Sequence, residues 1–319
     1  MKSVFILGMF TLVFTSPVLG ATDFEEWVQG FKAEAIEKGI ASSLVDQAFE
    51  GVVSIPRVLE LDRKQPESRM TFVEYRQRIV SEQRIRLGRE QMAQHRDLLR
   101  EIGGQYGVQP RFIVALWGIE TFYGKNSGSY PIVDALATLA FDGRRSQYFR
   151  TELLNAFRIL QEGHISLESM KSSWAGAMGQ CQFMPSSFLQ LAVDHDGDGR
   201  KDIWNTPGDV FASAANYLAS SGWRGTQIWG RLAQLPVKFD DKQANLSISK
   251  PLQDWQRIGI RQSNGRDLPL SPMKASVVLP DGSGGPAYLV YDNYRVIMKW
   301  NRSTYFATSV GLLADALAE

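Results

Sequence analysis

One carboxylate, Glu120, stands in one of the most apolar stretches of the chain. Residues 112–119 read Phe-Ile-Val-Ala-Leu-Trp-Gly-Ile, so Glu120 follows directly on a run without a charged side chain. Burial among apolar groups disfavours the ionised form of a carboxylate and raises its pKa. A carboxylic acid that keeps its proton near neutral pH can protonate a glycosidic oxygen, as in the apolar pocket of lysozyme. A structural glutamate with satisfied hydrogen bonds is the alternative interpretation, and this stretch alone leaves both open.

A second segment, residues 173–187, mixes small residues with hydrogen-bonding and apolar side chains. It reads Ser-Trp-Ala-Gly-Ala-Met-Gly-Gln-Cys-Gln-Phe-Met-Pro-Ser-Ser. Glycine lets a ligand approach the backbone closely. Ser173 and Gln182 offer hydrogen bonds and Phe183 offers apolar contact, the mixture that a sugar site needs. Ser186 also fits a simpler role as a cap of the next helix.

An aspartate-rich loop begins at residue 194 and resembles an EF-hand calcium loop. Aspartates alternate at 194, 196 and 198, and Gly199 takes the sixth position. The glutamate usual at position twelve is missing, because Asn205 stands there. Asp202, further along the loop, is a candidate for the closing ligand. A turn of aspartates and glycines without a metal remains the alternative.

The elements that must position these groups are mainly helical. Apolar residues recur at three- and four-residue spacing, which predicts helices over 23–39, 43–51, 68–102 (one helix, or two joined near Gly88), 111–121, 134–141, 147–162, 185–192, 208–219 and 303–318. Pro110 is placed to open one of them. Residues 235–294 are richer in Pro, Gly, Ser and Asp, and alternation predicts strands at 275–279 and 287–291. The predicted fold class is therefore mainly α (α+β), with a small β-containing portion.

Composition excludes several classes of protein. The 319 residues carry 35 basic and 34 acidic side chains, a balance that does not favour nucleic-acid binding. Cys181 is the only cysteine, so neither an intramolecular disulfide nor a cysteine-based metal site can form. Three scattered histidines make a zinc site improbable, and no phosphate loop or dinucleotide fingerprint is present.

The first 20 residues have the pattern of a secretory signal peptide. Lys2 precedes an apolar run over 4–14, and small residues follow at 20–21. A buried N-terminal helix is the alternative, although the polar residues Asp23 and Glu25 follow at once. We expect export to the periplasm or beyond, without a lipid anchor, because no cysteine stands at the expected cleavage site.

Three motifs together resemble the lytic murein transglycosylase B family. They are Trp-Gly-Ile-Glu-Thr-Phe-Tyr-Gly at 117–124, Asp-Ala-Leu-Ala-Thr-Leu at 134–139 and the segment 173–187. The resemblance extends over roughly residues 24–316 and implies a lysozyme-like fold. We expect a signal peptide at 1–20 and an N-terminal helical domain at 21–108, with helix 303–318 as a candidate to pack on that domain. A lysozyme-like catalytic core is expected at 109–230, including the loop 194–209. A small β-containing domain is expected at 231–298.

The resemblance also implies which residues form the site. Glu120 corresponds to the catalytic glutamate. The residues expected to bind substrate are Ser173, Gln182, Tyr148, Tyr217, Asn301, Trp300 and Tyr123. The calcium ligands that the family's longer loop implies, closed by its later aspartate, are Asp194, Asp196, Asp198, Arg200 and Asp209. Phe306 departs from the family, which commonly has a tyrosine there, and lacks that hydroxyl.

The implied reaction is cleavage of the MurNAc-GlcNAc bond of peptidoglycan without water, giving 1,6-anhydromuramyl ends. Glu120 is expected to be the single general acid and base, and no catalytic cofactor is expected. We expect a structural Ca²⁺ ion. The protein is expected to be a monomer that binds glycan strands. Asp134 and Asp142 are the nearest other acids in sequence, and Asp134 fits a helix cap better than a catalytic role. Two alternatives stay open: a hydrolytic muramidase, which needs a second carboxylate near Glu120, and a non-catalytic wall-binding scaffold.

Overall fold

The structure is a computed structural model and describes residues 21–63 and 70–318. The expected signal peptide, residues 1–20, lies outside the described residues. Within these residues the α-helices are α1 (Ala21–Glu37), α2 (Ser42–Ala48), α3 (Pro56–Arg63), α4 (Phe72–Ile79), α5 (Glu82–Gln94), α6 (Arg96–Tyr106), α7 (Pro110–Thr121), α8 (Ile132–Phe141), α9 (Ser146–Gln161), α10 (Pro185–Leu191), α11 (Pro207–Ser220), α12 (Leu252–Arg257), α13 (Asp292–Trp300) and α14 (Thr304–Ala318). The β-strands are β1 (Tyr130–Pro131), β2 (Lys171–Ser172), β3 (Gly230–Gln234), β4 (Lys250–Pro251), β5 (Arg261–Gln262), β6 (Lys274–Val278) and β7 (Ala287–Val290).

Helix α7 lies at the centre of the helical body. Gly107 ends α6 in the left-handed conformation, and Pro110 then starts α7, where its missing N–H costs no hydrogen bond. Because α7 is apolar on all sides, it is buried from Phe112 to Gly118. α14, α5, α11 and α6 pack around it. One continuous hydrophobic core extends from Phe24 to Leu317, so the N-terminal helices share their core with the segment expected to be catalytic.

Helix α14 packs on α7 and also on α4 and α5, which belong to the N-terminal segment. On the other side of the body α8 packs along α9, and α9 along α10. The two-residue strands β1 and β2 pair antiparallel, with Tyr130 opposite Ser172. This ribbon brings the chain that follows α7 next to the start of the segment 173–187.

A five-stranded antiparallel sheet forms the small β portion, in the order β4-β6-β7-β3-β5. The register pairs Val290 with Gly230 on one side and with Ser276 on the other. A second hydrophobic cluster fills this region around the fully buried Trp255. The mainly α architecture with a small β portion agrees with the predicted fold class.

The expected junction near Gly88 is wrong. Residues 72–106 form three helices, and Gly88 lies inside α5. Ser81 caps the start of α5 by accepting a hydrogen bond from the Arg84 amide. A Cβ atom at Gly88 would collide with the Tyr123 hydroxyl and Leu317. Glycine is therefore present because other elements approach closely, rather than to end the helix.

The region 235–294 also contains helices that alternation did not reveal. α12 lies within it, and α13 covers 292–300 and buries Tyr294, Val296 and Ile297 in the main core. The second hydrophobic cluster reaches Tyr291. The β portion therefore ends before α13, earlier than the expected boundary at 298. Between α2 and α4, Pro56 opens the short helix α3. None of the helices in the described ranges has the length and hydropathy needed to cross a bilayer.

Candidate active site

Glu120 lies in the last turn of α7, where a strained turn ends the helix. Phe122 and Tyr123 both adopt the left-handed conformation, with φ of 52° and 60°. Such conformations are costly for residues other than glycine and persist only where surrounding contacts impose them. Here the Tyr123 hydroxyl donates to the Arg84 carbonyl at 2.7 Å, and its ring packs edge-on against Trp117.

Tyr123 is therefore not placed to bind substrate. Its side chain is 7% exposed and its hydroxyl points at α5. A Cβ at Gly118 would collide with the Tyr123 ring, so the ring occupies a slot that the glycine leaves open. The expected substrate contact is not supported by this geometry, and Tyr123 instead anchors the turn after Glu120.

The carboxyl group of Glu120 is largely desolvated and has one hydrogen-bond donor. The Trp300 indole Nε1 donates to Glu120 Oε1 at 2.7 Å. Burial raises the pKa of Glu120 to about 7, and the Trp300 hydrogen bond opposes that rise by stabilising the carboxylate. At neutral pH a large fraction of Glu120 is thus protonated and able to act as a general acid.

A small apolar pocket borders Glu120 on the core side. The residues that line it, besides Glu120 itself, are Ile113, Leu116, Trp117, Gln180, Cys181, Val210, Phe211, Ala214 and Trp300. The Cys181 thiol donates to the Val210 carbonyl at 3.2 Å, and burial raises its pKa well above the usual range, so the thiol stays neutral. The apolar lining is the physical source of the raised pKa of Glu120.

Gln180 is a site residue that sequence reasoning missed. Its Oε1 accepts from the Trp117 indole at 2.7 Å, and its Nε2 donates to the Trp204 carbonyl at 2.7 Å. The Thr121 hydroxyl donates to the Gln180 carbonyl at 3.1 Å. Gln180 thereby joins the 173–187 segment to the end of α7. A second amide side chain, two residues before Gln182 in the same segment, was the available signal.

Three aromatic rings form a wall beside Glu120, which we call the aromatic cluster: Phe183, Tyr217 and Trp300. The ring centroids of Tyr217 and Trp300 are 4.6 Å apart, and those of Phe183 and Trp300 are 5.3 Å apart. The Tyr217 hydroxyl donates to the Lys299 carbonyl at 2.8 Å. The cluster unites α11, α13 and the 173–187 segment, and it brings together Tyr217 and Trp300, both of which were expected to bind substrate.

Ser173 and Gln182 are both half-buried, and both use part of their hydrogen-bonding capacity internally. The Ser173 Oγ accepts from the Ala177 amide at 3.1 Å, which leaves its hydroxyl proton available. Gln182 has a φ of 51°, and its Nε2 donates to the carbonyls of Ser127 at 3.1 Å and Gly179 at 3.0 Å. With both N–H groups used, Gln182 keeps its Oε1 as an acceptor.

Tyr148 and Asn301 lie at the surface. Tyr148 is 45% exposed, and burial of the rest of its ring and the nearby Glu152 charge raise its pKa to about 12. The Glu152 carboxylate also accepts from the Ser186 amide and hydroxyl, so it joins α9 to the start of α10. Asn301 is exposed, follows Trp300 directly, and accepts from the Ser303 amide at 3.0 Å.

In the aspartate-rich loop, three of the expected metal ligands converge. Carboxylate oxygens of Asp194, Asp196 and Asp209 lie within 4.8 Å of one another. Asp209 is 1% exposed, and its carboxylate accepts from the amides of His195 and Asp202 at 2.7 and 2.6 Å. Burial raises the pKa of Asp209, and the neighbouring Asp196 and Asp194 charges raise it further. Oxygen ligands of this kind fit a hard divalent cation such as Ca²⁺.

The other loop residues have different partners. The Asp202 carboxylate accepts from the Trp204 and Asn205 amides, both at 2.9 Å, and is not among the converging carboxylates. Of the two candidates for closing the loop, Asp209 is therefore the one that reaches it. The Asp198 carboxylate accepts from the Arg200 amide at 2.8 Å and is not among the three converging carboxylates.

No second acid approaches Glu120 among the described residues. The influences on its pKa are burial and the Trp300 hydrogen bond, without a contribution from another carboxylate. Asp142 forms an ion pair with Arg63 at 2.8 Å. Asp134 lies in the first turn of α8, where Pro131 is the N-cap residue, and burial raises its pKa. Neither of these acids, the nearest to Glu120 in sequence, acts on the pKa of Glu120 as a second carboxylate.

Comparisons with known proteins agree with this geometry. Residues 23–315 match the family model of the Transglycosylase SLT domain. The chain is 34% identical over 255 residues to membrane-bound lytic murein transglycosylase B of Escherichia coli (strain K12), which covers 77% of this chain and 67% of that protein.

Solved structures extend the likeness to the whole fold. SltB3 from Pseudomonas aeruginosa in complex with NAG-NAM-pentapeptide superposes with a TM-score of 0.90 at 45% identity, covering 92% of this chain and 79% of that one. The Escherichia coli lytic transglycosylase Slt35 in complex with calcium gives a TM-score of 0.79 at 29% identity, covering 91% and 92%. This chain therefore belongs to the Transglycosylase SLT domain family, as a lytic murein transglycosylase.

Proposed function

We propose that this enzyme cleaves the glycan strands of peptidoglycan between N-acetylmuramic acid and N-acetylglucosamine without water, with Glu120 as its only acid and base. The observation that carries the proposal is the Glu120 carboxyl group itself. It is largely desolvated, its pKa is raised to about 7, and no second carboxylate contributes to its environment in the described part of the chain. The relative SltB3 has been solved with NAG-anhNAM-pentapeptide, an anhydro sugar product of this kind of reaction.

The reaction balances with one carboxyl group. Protonated Glu120 donates its proton to the glycosidic oxygen as the bond from that oxygen to the muramyl C1 breaks, which releases the N-acetylglucosamine end as an alcohol. The Glu120 carboxylate then accepts the proton of the muramyl 6-hydroxyl while its oxygen bonds to C1. Glu120 ends the cycle protonated, as it began, and the new muramyl end is a 1,6-anhydro ring. Hydrolases that use water instead need two carboxylates across the bond.

The polar groups near the site supply the contacts that hold the sugar. We assign the Ser173 hydroxyl as a donor and the Gln182 Oε1 as an acceptor, because their remaining hydrogen-bonding capacity is used internally. Tyr148 offers a half-exposed ring on which a sugar can stack. Asn301 follows Trp300 and presents an exposed amide beside the aromatic cluster.

The aspartate-rich loop holds structural calcium in this proposal, and Asp194, Asp196 and Asp209 provide carboxylate ligands. The cation would neutralise their mutual repulsion and brace the loop, without taking part in bond cleavage. The calcium complex of the relative Slt35 supports this assignment. Arg200 stands at position seven, where an EF-hand loop contributes a backbone carbonyl.

We further propose that the protein is exported through its N-terminal signal and acts in the periplasm as a monomer on glycan strands. Export to the compartment that holds the substrate is supported by the positive charge of Lys2 and the apolar run at 4–14. The chemistry of the site supports it as well. No nucleic-acid or cofactor role is part of the proposal.

Mass spectrometry of fragments released from purified peptidoglycan tests the reaction. We expect anhydromuramyl fragments from the mature enzyme and a loss of at least about 100-fold in their release with Glu120→Gln. Glu37→Gln is the matched control, because Glu37 is exposed at the end of α1 and should leave release unchanged. Reducing muramyl ends would make the protein a hydrolase. Equal release by wild type and Glu120→Gln would remove Glu120 from catalysis.

A further inference from the structure

Trp300 makes the only hydrogen bond that a described side chain gives to the Glu120 carboxyl group. Its Nε1 lies 2.7 Å from Glu120 Oε1, although the two residues are 180 positions apart in sequence. No described side chain donates a hydrogen bond to Glu120 Oε2. This oxygen is also not fully buried. Because Glu120 is partly exposed, Oε2 is the oxygen that remains accessible from outside.

The position of the Trp300 ring is fixed from two sides. Its ring packs on Tyr217 and on Phe183 within the aromatic cluster. Lys299, the preceding residue, is held to α11 twice: its carbonyl accepts from the Tyr217 hydroxyl and its Nζ donates to the Ser221 carbonyl, both at 2.8 Å. The end of α13 is therefore tethered, and the indole N–H keeps its direction.

An indole N–H can only donate a hydrogen bond. Its partner Oε1 must accept, whether Glu120 is ionised or protonated. In the protonated acid the carbonyl oxygen is the better acceptor, so the hydrogen bond favours Oε1 as the carbonyl oxygen and places the proton on Oε2. A tyrosine or serine hydroxyl at the same place would not impose this, because a hydroxyl can donate or accept.

We infer that Trp300 is a positioning residue that reserves Oε1 as an acceptor and makes Oε2 the single oxygen through which Glu120 gives and takes protons. This inference rests on the proposed function and deepens it. Oε2 carries the proton to the glycosidic oxygen, and the same Oε2 accepts the proton of the muramyl 6-hydroxyl. The carboxyl group completes both steps without rotating. Trp300 thus acts through Glu120 rather than through the sugar, in contrast to the substrate contact expected from sequence.

The second effect of Trp300 is on the charge of Glu120. The hydrogen bond stabilises the carboxylate and holds the pKa below the value that burial alone would give. Other titratable groups that face this centre stay neutral: burial raises the pKa of the Cys181 thiol and of the Tyr217 hydroxyl. Loss of the indole donor must therefore move the Glu120 titration to higher pH.

The test is Trp300→Phe, which keeps an aromatic ring and removes the donor. Rates on soluble glycan strands, measured against pH and substrate concentration, should show kcat lower by about 10- to 100-fold with KM little changed, since a hydrogen bond to a charged group is lost. The decline of the rate on the alkaline side should move to higher pH. Trp255→Phe is the matched control, because it removes an indole hydrogen bond to the Ala275 carbonyl in the second hydrophobic cluster.

Infrared titration gives a readout that does not depend on turnover. The difference spectrum between each protein and its Glu120→Gln counterpart isolates the carboxyl band of Glu120. We expect this band to persist to higher pH in Trp300→Phe than in wild type or in Trp255→Phe. An unchanged titration midpoint, or a loss confined to KM, would overturn the inference. If wild type releases no anhydro product, the proposed function fails, while the infrared titration still decides the role of Trp300.

Discussion

At Glu120 two effects act on one carboxyl group in opposite directions. Burial in the apolar pocket disfavours the charged form, and the Trp300 hydrogen bond favours it. Burial is the larger effect, so the pKa is raised to about 7 from its ordinary value of 4.5. An acid with that pKa is both a usable proton donor and a usable base near neutral pH. Rates should therefore decline as pH rises through about 7, where Glu120 loses the proton that starts the reaction.

The raised pKa of Glu120 should also make the stability of the protein depend on pH. The pKa of Glu120 is higher in the folded state than in the unfolded state. Between these two pKa values the folded state therefore binds one more proton, and the free energy of unfolding falls as pH rises through that range. Glu120→Gln, which cannot ionise, should be more stable than wild type by about 1 to 3 kcal/mol above pH ~7, and by little below pH ~4.5.

Urea unfolding of wild type and Glu120→Gln at a series of pH values measures this difference. Glu37→Gln serves again as the control, since its exposed carboxyl group should give no such pH-dependent gain. A difference between wild type and Glu120→Gln that is the same at every pH would contradict the account of burial.

At the scale of elements, the aspartate-rich loop connects the end of α10 to the start of α11. Asp209 is in the first turn of α11, and Asp194 lies three residues beyond α10. A cation held between them would fix the start of α11, and that helix carries Tyr217 into the aromatic cluster. The loop is thus placed to brace the site while remaining outside it.

Calcium should raise the melting temperature of the wild type, by an amount equivalent to about 2.7 kcal/mol at about 100 times its Kd. Asp209→Asn should abolish this rise, because Asp209 is the candidate closing carboxylate that converges with Asp194 and Asp196. Asp202→Asn is the matched variant: it weakens the turn at Trp204 but should keep the calcium response. Thermal melts with calcium and with a chelator measure both. A response lost in Asp202→Asn and kept in Asp209→Asn would reverse the assignment.

At the scale of the whole molecule, the β portion is fastened to the helical body through the turn that follows β6. The Asp281 carboxylate accepts from the backbone amides of Phe72 and Val73 at the start of α4. The Tyr305 hydroxyl of α14 donates to the same carboxylate at 3.2 Å. A carboxylate is favourable at a helix N-terminus, where free amides and the helix dipole both attract it.

Asp281→Ala should lower the free energy of unfolding by about 1 to 2 kcal/mol, because it removes the carboxylate that accepts from the Phe72 and Val73 amides at the start of α4. Asp240→Ala is the control, since Asp240 is exposed and caps only a short 3-10 turn; its loss should be within about 0.5 kcal/mol. Denaturant unfolding measures both. Equal losses would show that Asp281 does not fasten the two parts.

The sequence was sufficient where local chemistry decides the structure. Pro110 correctly predicted the start of α7, since it acts through its own backbone. Glu120 was identifiable because one carboxylate interrupts an apolar helix. The helix α13 was missed among turn-forming residues, because its burial depends on a core assembled from distant segments.

Long-range contacts account for the other differences. The contact of Trp300 with Glu120 joins residues 180 positions apart, and no local pattern encodes it. The same holds for Gly88, which suggested a helix break by its type but is required by the approach of Tyr123 and Leu317. Tyr123 was expected to contact the sugar. Its hydroxyl instead donates to the Arg84 carbonyl, because α5 packs against α7.

The central claim is that one carboxyl group cleaves the glycan strand without water, and digestion of peptidoglycan in heavy-oxygen water tests it most directly. Mass spectrometry of the released muramyl ends would show whether solvent oxygen has entered the product. The account predicts muramyl ends that lack one water relative to reducing ends and carry no heavy oxygen. Reducing ends labelled with heavy oxygen would contradict it, since they require a water molecule to attack the muramyl C1 in place of the 6-hydroxyl.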